Sequence, residues 1–414
     1  MQRPKESVDI SLDELKLHYQ NVFTKRNKKD TFSDIIDEKF VKEYTYKYQN
    51  VVFDYQINTE NITKLFEKLP NNKTIGINDV SNEMLKYSNN KKLKEHLKNV
   101  FEIIINRQVI PYIFNTSIIK PILKDSKKSG SDIDNISPIA ISDCLSNLFE
   151  AILLDILNKE HHDHQKQFGF KKNSSCQHAM WTLKQAIEIS KRTKRCTYVC
   201  SLDASKAFDK VNRTILWKQL IKNKISPYVI LSLINYYNDS FLLVNNNNSY
   251  SMSFKSTNGV KQGGKCSPKL FSIYLEPLLE IISQTESGII IDKIKIDIIA
   301  YADDPLLVSS TKSSLQKCLD LVTKFGEDFE IQFNLIKTHY IVFDFSQKKS
   351  TMKDNLYLNL SGLNIERVDT IKYLGMQLNE KYDDRINIKK RIKCSYVALA
   401  KLRNLEILTE KTDA

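Results

Sequence analysis

The sequence predicts an α+β fold, and two observations carry that reading. Early in the chain, apolar residues recur at helical spacing, as in Leu12, Leu15, Tyr19, Val22 and Phe23. From Cys196 onward, β-rich runs such as "CTYVC", "KIKIDIIAY" and "THYIVFDF" stand between further helical stretches. A length of 414 residues with 41% hydrophobic content allows two or three domains with cores of their own.

The elements follow in order. Residues 1–60 form a polar and aromatic N-terminal extension with short helical patterns and no recognisable chemistry. From Asn61 to Arg107 the pattern is helix, loop, helix; Gly76 breaks the first, and Ser81 offers an N-cap to the next. "SIIKPILKDSKKSGSDIDNISPIAIS" places two apolar runs around a basic loop, which predicts a hairpin whose lysines, Lys120 and Lys124 among them, suit phosphate contact. "LSNLFEAILLDILNKE" reads as a helix, and "QFGFKKNSSCQHAMWTLKQ" as a turn leading into another, N-capped by Ser174 or Ser175. Beyond "CTYVCSLDASKAFDKVN" come helices at "RTILWKQLIKN" and Pro227–Tyr237, then a strand or hairpin in "SYSMSFKSTNGVKQGG". Ser267 and Pro268 open a helix with Phe271, Tyr274, Leu275 and Leu278 on one face. "KIKIDIIAYADDPLLVSS" is strand, tight turn, strand; a helix "SSLQKCLDLVTKFGEDFE" and strands "THYIVFDF" and "TIKYLGMQL" follow. The tail from Asp383 is helical, with a stripe of Ile388, Ile392, Tyr396, Leu399, Leu402 and Leu405 among Lys389, Lys390, Arg391 and Lys393.

Composition narrows the function. The net charge of +13 suits a polyanionic partner, although abundant Lys, Asn and Ile also reflect a compositional bias. Seven cysteines without CxxC spacing fit reduced thiols. With no long uncharged apolar run and no signal-like N-terminus, the expectation is an intracellular protein, nuclear or cytoplasmic, with no membrane partner. "HHDH", His161 to His164, invites a metal site, but consecutive residues rarely converge on one ion, and none is expected there.

The chemistry centres on "AYADDPLLVSS". Asp303 and Asp304 interrupt an apolar run, and burying unpaired charge is costly, so the pair implies either a solvated turn or a cation that needs two acids. A third acid, Asp203, ends an earlier β run. Carboxylates of this kind can bridge two divalent ions about 3.5 to 4 Å apart, the arrangement that drives nucleotidyl transfer. An isolated "DD" is usually a turn, so order and company decide: "SLDASKAFDKVN", "NGVKQGGKCSP", "AYADD", "NLIKTHYIVF" and "IKYLG" occur in succession. With these blocks the chain resembles the reverse transcriptases of non-LTR, LINE-type retrotransposons from about Asn61 onward.

The resemblance implies a right-hand polymerase with helical fingers (61–195, with part of the palm), an antiparallel-sheet palm (196–378) and a short helical thumb (379–414, truncated). It implies an RNA-directed DNA polymerase that takes an RNA template, a DNA primer and dNTPs, with two Mg²⁺ ions on Asp203, Asp303 and Asp304. Phe208 corresponds to an aromatic that excludes the ribose 2′-hydroxyl. Gln262, with Gly263 and Gly264, matches a nucleotide- and template-contacting segment in which glycine lets the backbone approach. Lys337 matches a lysine near the leaving pyrophosphate. Tyr373 and Gly375 match a primer-gripping hairpin, and Lys389, Lys390 and Lys393 suit a helix tracking duplex phosphates.

Three positions depart from the family: Ser137 stands where arginine meets the triphosphate, Asn147 replaces a lysine near the template, and Pro305 follows the acid pair. Proline removes a ladder hydrogen bond but fits the start of an edge strand. The alternative these departures raise is a catalytically impaired relic that only binds nucleic acid.

Overall fold

The computed structural model describes residues 8–24, 31–88, 90–112, 114–125, 128–204, 206–346 and 357–404. Helices α1 (Leu12–Phe23), α2 (Phe32–Lys47), α3 (Thr59–Glu67), α4 (Asn82–Lys86) and α5 (Lys91–Arg107) come first. Each begins where a short polar side chain captures a free N–H: Ser11, Thr31, Asn58, Ser81 and Asn90 all accept from a residue two or three positions on. Strands β1 (Asn115–Leu123) and β2 (Ile136–Ser142) form the expected hairpin, followed by α6 (Cys144–Glu160), α7 (Cys176–Arg192) and β3 (Cys196–Ser201). Ser175 is the cap of α7, accepting from His178. Next come α8 (Arg213–Lys222), α9 (Pro227–Asn238), β4 (Ser240–Asn246), β5 (Ser249–Tyr250), β6 (Phe254–Lys255) and α10 (Ser267–Gln284). The remainder runs β7 (Ile289–Ile291), β8 (Ile294–Ile296), β9 (Ile298–Tyr301), β10 (Asp304–Ser309), α11 (Lys312–Asp328) and β11 (His339–Asp344). It closes with β12 (Leu358–Leu360), β13 (Leu363–Arg367), β14 (Thr370–Tyr373), β15 (Met376–Asn379) and α12 (Arg385–Asn404). Leu405, read above as part of the terminal stripe, lies outside the described residues.

Two compact units divide the chain. The first comprises residues 1–164, 206–277 and 328–331. Its sheet runs β2-β1-β4-β5, with β6 also on β4; β1 pairs β2 antiparallel and β4 parallel. Ile119, Ile136, Leu242, Val244 and Phe254 bury against Val8, Leu15, Tyr19 and Phe23, so the N-terminal segment supplies part of this core. The carbonyl of Phe23 also accepts from Thr257 and Asn258 (2.9 and 3.0 Å), tying α1 to the loop that leads to Gln262.

The second unit comprises residues 165–205, 278–327 and 332–414. Its six-stranded sheet has the order β12-β13-β11-β3-β10-β9. The central strands β3, β10 and β11 are buried along most of their length, which is why they read as continuous apolar runs rather than alternating ones. Ala179, Leu183 and Ile187 of α7 pack with Val199, Leu306, Val308, Ile341 and Phe343 of the sheet.

Three element readings change. β4 joins a sheet although no element was read over its segment; "SFLLVNN" is too short to declare a period, and Asn247 and Asn248 supply the turn to β5 with positive φ. "TIKYLGMQL" folds back as the hairpin β14–β15, because Leu374 and Gly375 both take positive φ. β12 and β13 form a short pair that no strong periodicity announced. Among the described residues no helix is long and apolar enough to cross a membrane, and the seven cysteines are free thiols.

Candidate active site

The second unit brings its three acids to one end of its sheet. β9 and β10 close a hairpin in which Tyr301 pairs Asp304 and Ala300 pairs Pro305, leaving Ala302 and Asp303 as a two-residue turn. On the other side of β10, Leu306 pairs Ser201, the last residue of β3. Asp203, two residues beyond, therefore lies beside the start of β10. Its backbone is pinned: the N–H donates to Thr338 Oγ1 (3.4 Å), and the carbonyl accepts from Asn334 (2.7 Å). Lys337, from the segment between α11 and β11, sets its Nζ 3.7 Å from Asp203 Oδ2.

Burial first, and the neighbouring acids second, set the electrostatics of the pair. Solvent reaches Asp304, yet surrounding protein displaces enough water, with Asp303 and Asp203 adding repulsion, to push its carboxyl up to about 6. Burial and the charge of Asp203 also raise Asp303, while a hydrogen bond from its own backbone opposes the rise. A cation would relieve this repulsion. Among the described residues no three His, Cys, Asp or Glu side chains, the three acids included, stand close enough together to hold a metal ion by themselves. Mg²⁺ characteristically keeps several waters and uses one or two carboxylates together with substrate phosphates, so an open cluster of hard oxygen donors fits it.

Pro305 requires a correction. β10 lies between β3 and β9, so the proline is the second residue of an interior strand, not the start of an edge strand. Its hairpin partner Ala300 needs nothing from it, because the Ala300 N–H donates to the Lys166 carbonyl (2.9 Å) and its carbonyl accepts from Phe168 (2.8 Å). Pro305 still accepts from Leu202 (3.0 Å). The N–H it lacks would face the Leu202 carbonyl, just past the end of β3, where the ladder is ending anyway.

Tyr373 is also corrected. It is 3% exposed, and its hydroxyl lies 3.3 Å from the carbonyls of Ile299 and Asp304, so the ring braces the acid hairpin from within and is not placed to grip nucleic acid. Gly375 occupies the exposed β14–β15 turn at φ +80°, with open space where a Cβ would sit. Lys389, Lys390 and Lys393 lie on α12, whose residues 385–403 are exposed apart from Asn387.

The remaining expected substrate residues belong to the first unit. Phe208 is half-buried, its ring stacked on Phe271 with centroids 4.8 Å apart. Gln262 donates from Nε2 to Asp209 Oδ1 (2.7 Å). Gly263 is exposed at φ +108°, where a Cβ would meet the Ala140 carbonyl at 3.0 Å, so glycine is required there. At Gly264 a Cβ would lie 2.8 Å from Glu150 Oε2, so this glycine admits a buried carboxylate rather than a substrate. Lys120 is exposed on β1, and Lys124 donates to the Asp134 carbonyl (2.7 Å) at the hairpin mouth. Ser137 pairs Ile122 on β2, and Asn147 donates to the Ser142 carbonyl (3.4 Å). His161 Nε2 lies 2.8 Å from Glu276 Oε2, and Asp163 Oδ1 accepts from Lys269 (2.8 Å), so two residues of "HHDH" have protein partners.

Two functional-looking residues escaped the sequence reading. Asp209 is 2% exposed and pushed up to about 6 by burial, against the pull of Gln262, Lys206, Lys210 and Lys124. Its only advance signal is an acid directly after the apolar pair of "KAFD". Gln167 is 1% exposed and accepts from the Ala302 N–H (3.0 Å); the signal there is a glutamine two residues before a glycine in "QFGF".

Known proteins match this chain. A family model described as reverse transcriptase (RNA-dependent DNA polymerase) matches residues 124–378. Similar proteins include the Pol polyprotein of type-2 retrotransposable element R2DM from Drosophila melanogaster, 27% identical over 58% of this chain and 23% of that one. A probable RNA-directed DNA polymerase from transposon BS of the same organism is 25% identical over 84% of this chain and 38% of its own length. The Pol polyprotein of a type-1 element R2 from Popillia japonica is 30% identical over 59% and 35%. The chain thus matches well under half the length of these relatives.

Proposed function

Because the chain belongs to the reverse transcriptase family, in the form found in non-LTR retrotransposons, we propose that it extends a DNA primer with dNTPs on an RNA template. The observation that carries this reading is the gathering of Asp203, Asp303 and Asp304 at one sheet end, with mutual repulsion that a cation would relieve. Two Mg²⁺ ions bound there would supply the acidified 3′-hydroxyl and the positive charge that nucleotidyl transfer needs. The three carboxylates would hold them. In the reaction the primer 3′-oxygen bonds to the α-phosphorus as the bond to pyrophosphate breaks. Lys337, two-thirds exposed beside Asp203, offers a cation for the departing phosphates.

In the same reading Phe208 excludes ribonucleotides, its ring held by Phe271, while Gln262 and Gly263 contact nucleotide and template. Lys120 and Lys124 meet phosphate from the β1–β2 hairpin. Primer contact falls to the exposed Gly375 turn rather than to Tyr373, and duplex contact to Lys389, Lys390 and Lys393. Residues 61–195, 196–378 and 379–414 correspond to fingers, palm and thumb, in a nuclear or cytoplasmic protein.

Ser137 and Asn147, which leave two positions without the family's cation, favour a second reading as a binding-only relic. Primer extension on an RNA template separates the two. Extension with dNTPs and not with rNTPs is expected, and Asp303→Asn should reduce it by about two orders of magnitude or more while RNA/DNA duplex binding persists. A wild-type chain that binds duplex and adds no nucleotide would leave the relic.

A further inference from the structure

The turn that carries Asp303 is conformationally expensive. Ala302, its first residue, adopts φ +57°, a left-handed conformation that side chains disfavour and that this turn position ordinarily fills with glycine. Something outside the hairpin must hold it, and the segment Lys166–Gly169 makes the relevant contacts. Lys166 and Phe168 bracket Ala300, accepting and donating in turn, so that Gln167 bridges Ala300 in parallel and extends the sheet past its edge strand. Lys166 is itself anchored by an ion pair with the fully buried Asp297. Gly169 lies so near the turn that a Cβ there would fall 2.3 Å from the Ala302 nitrogen.

Gln167 completes the strap. Its Oε1 accepts from Gly169 (2.9 Å) and from the Ala302 N–H (3.0 Å). Two donors on one oxygen fix the amide orientation, and Nε2 is left buried with no partner among the described residues. Leaving a donor unpaired is a cost, accepted here to present an uncharged acceptor beside carboxylates that already repel one another. A glutamate would accept equally well but add charge. In an ordinary two-residue hairpin the first turn N–H faces solvent; here it is taken.

We propose that Gln167 is a positioning residue for the acid hairpin, holding the Ala302–Asp303 turn in the one conformation that presents Asp303 at the sheet end. This rests on the reading of Asp303 as a metal-holding acid, and the test separates the two. In the full chain without metal, hydrogen exchange should find the Ala302 amide protected to a degree comparable with the β10 amides; rapid exchange there overturns the strap, with no variant needed. Gln167→Met, of similar length but without the acceptor, should speed Ala302 exchange by about tenfold while Leu307 is unchanged. In primer extension the same variant should lower kcat by about tenfold and raise the Mg²⁺ concentration at half-activity, with KM for dNTP within about twofold of wild type. Adding Ala302→Gly should restore most of the lost kcat, because glycine adopts the turn without support. If exchange quickens in Gln167→Met and kcat holds, the strap exists but does not position the acids, and the proposal fails. If the wild-type chain itself extends no primer, the metal-site reading fails, while the exchange measurement still decides the strap.

Discussion

At the scale of single residues, Asp209 makes the most readily measured case. Burial pushes its carboxyl up to about 6 from an ordinary 3.8, against the pull of the Gln262 amide that donates to it. The native state therefore binds a proton between those values that the unfolded chain has released, so stability falls as pH rises through that window. A shift of this size corresponds to about 3 kcal/mol lost between about pH 4 and 6. Asp209→Asn cannot ionise. Its stability relative to wild type should accordingly improve by about 2–3 kcal/mol from pH 4 to pH 7, as read from denaturant unfolding at each pH; a difference that does not change with pH would mean the wild-type group is not charged against its burial. Sequence reading finds residues such as Asp203, Asp303 and Asp304 because their acids stand in ordered blocks. It passes over Asp209 and Gln167 because their significance lies in hydrogen bonds with Gln262 and Ala302, 53 and 135 residues away, which local pattern does not encode.

At the scale of elements, Pro305 tests how far a sheet tolerates a missing donor. Pro305→Val would regain a hydrogen bond to the Leu202 carbonyl, worth about 0.5–1.5 kcal/mol, and lose the stiffening of the unfolded chain, worth about 0.4–1 kcal/mol. The two nearly offset, so stability should change by less than about 1 kcal/mol and primer extension by less than about threefold. Restoration of activity to an inert chain by this substitution alone would instead identify the proline as the inactivating change. The placement also shows where element reading falls short. Strand, turn and strand were legible around "AYADDPLLVSS", but the neighbours of β10 were not, and whether a strand is edge or interior depends on partners such as β3 that lie a hundred residues off. Tyr373 illustrates the same limit: its segment read as a strand and only the resemblance implied a hairpin there, whereas the inward direction of its ring follows from packing against Ile299 and Asp304.

At the scale of the whole molecule, part of the basic excess behind the net charge of +13 lies on α12, where Lys389, Lys390 and Lys393 stand exposed. If these three meet phosphates, replacing all of them with glutamine should flatten the dependence of log Kd on log salt concentration by about 0.9 for each phosphate no longer neutralised, measured with an RNA/DNA duplex. An unaltered slope would return α12 to the role of a solvated helix. The division of the chain has a further consequence. The backbone passes between the two units five times, after residues 164, 205, 277, 327 and 331. Neither unit is therefore a module that recombination could graft by a single join, and β11, which pairs both β3 and β13, arrives only after the last passage. A gene copy interrupted between Ser309 and His339 encodes a sheet missing that strand and leaves β3 without one of its two neighbours, and an earlier interruption removes more, so decay of such a sequence should be abrupt in its effect.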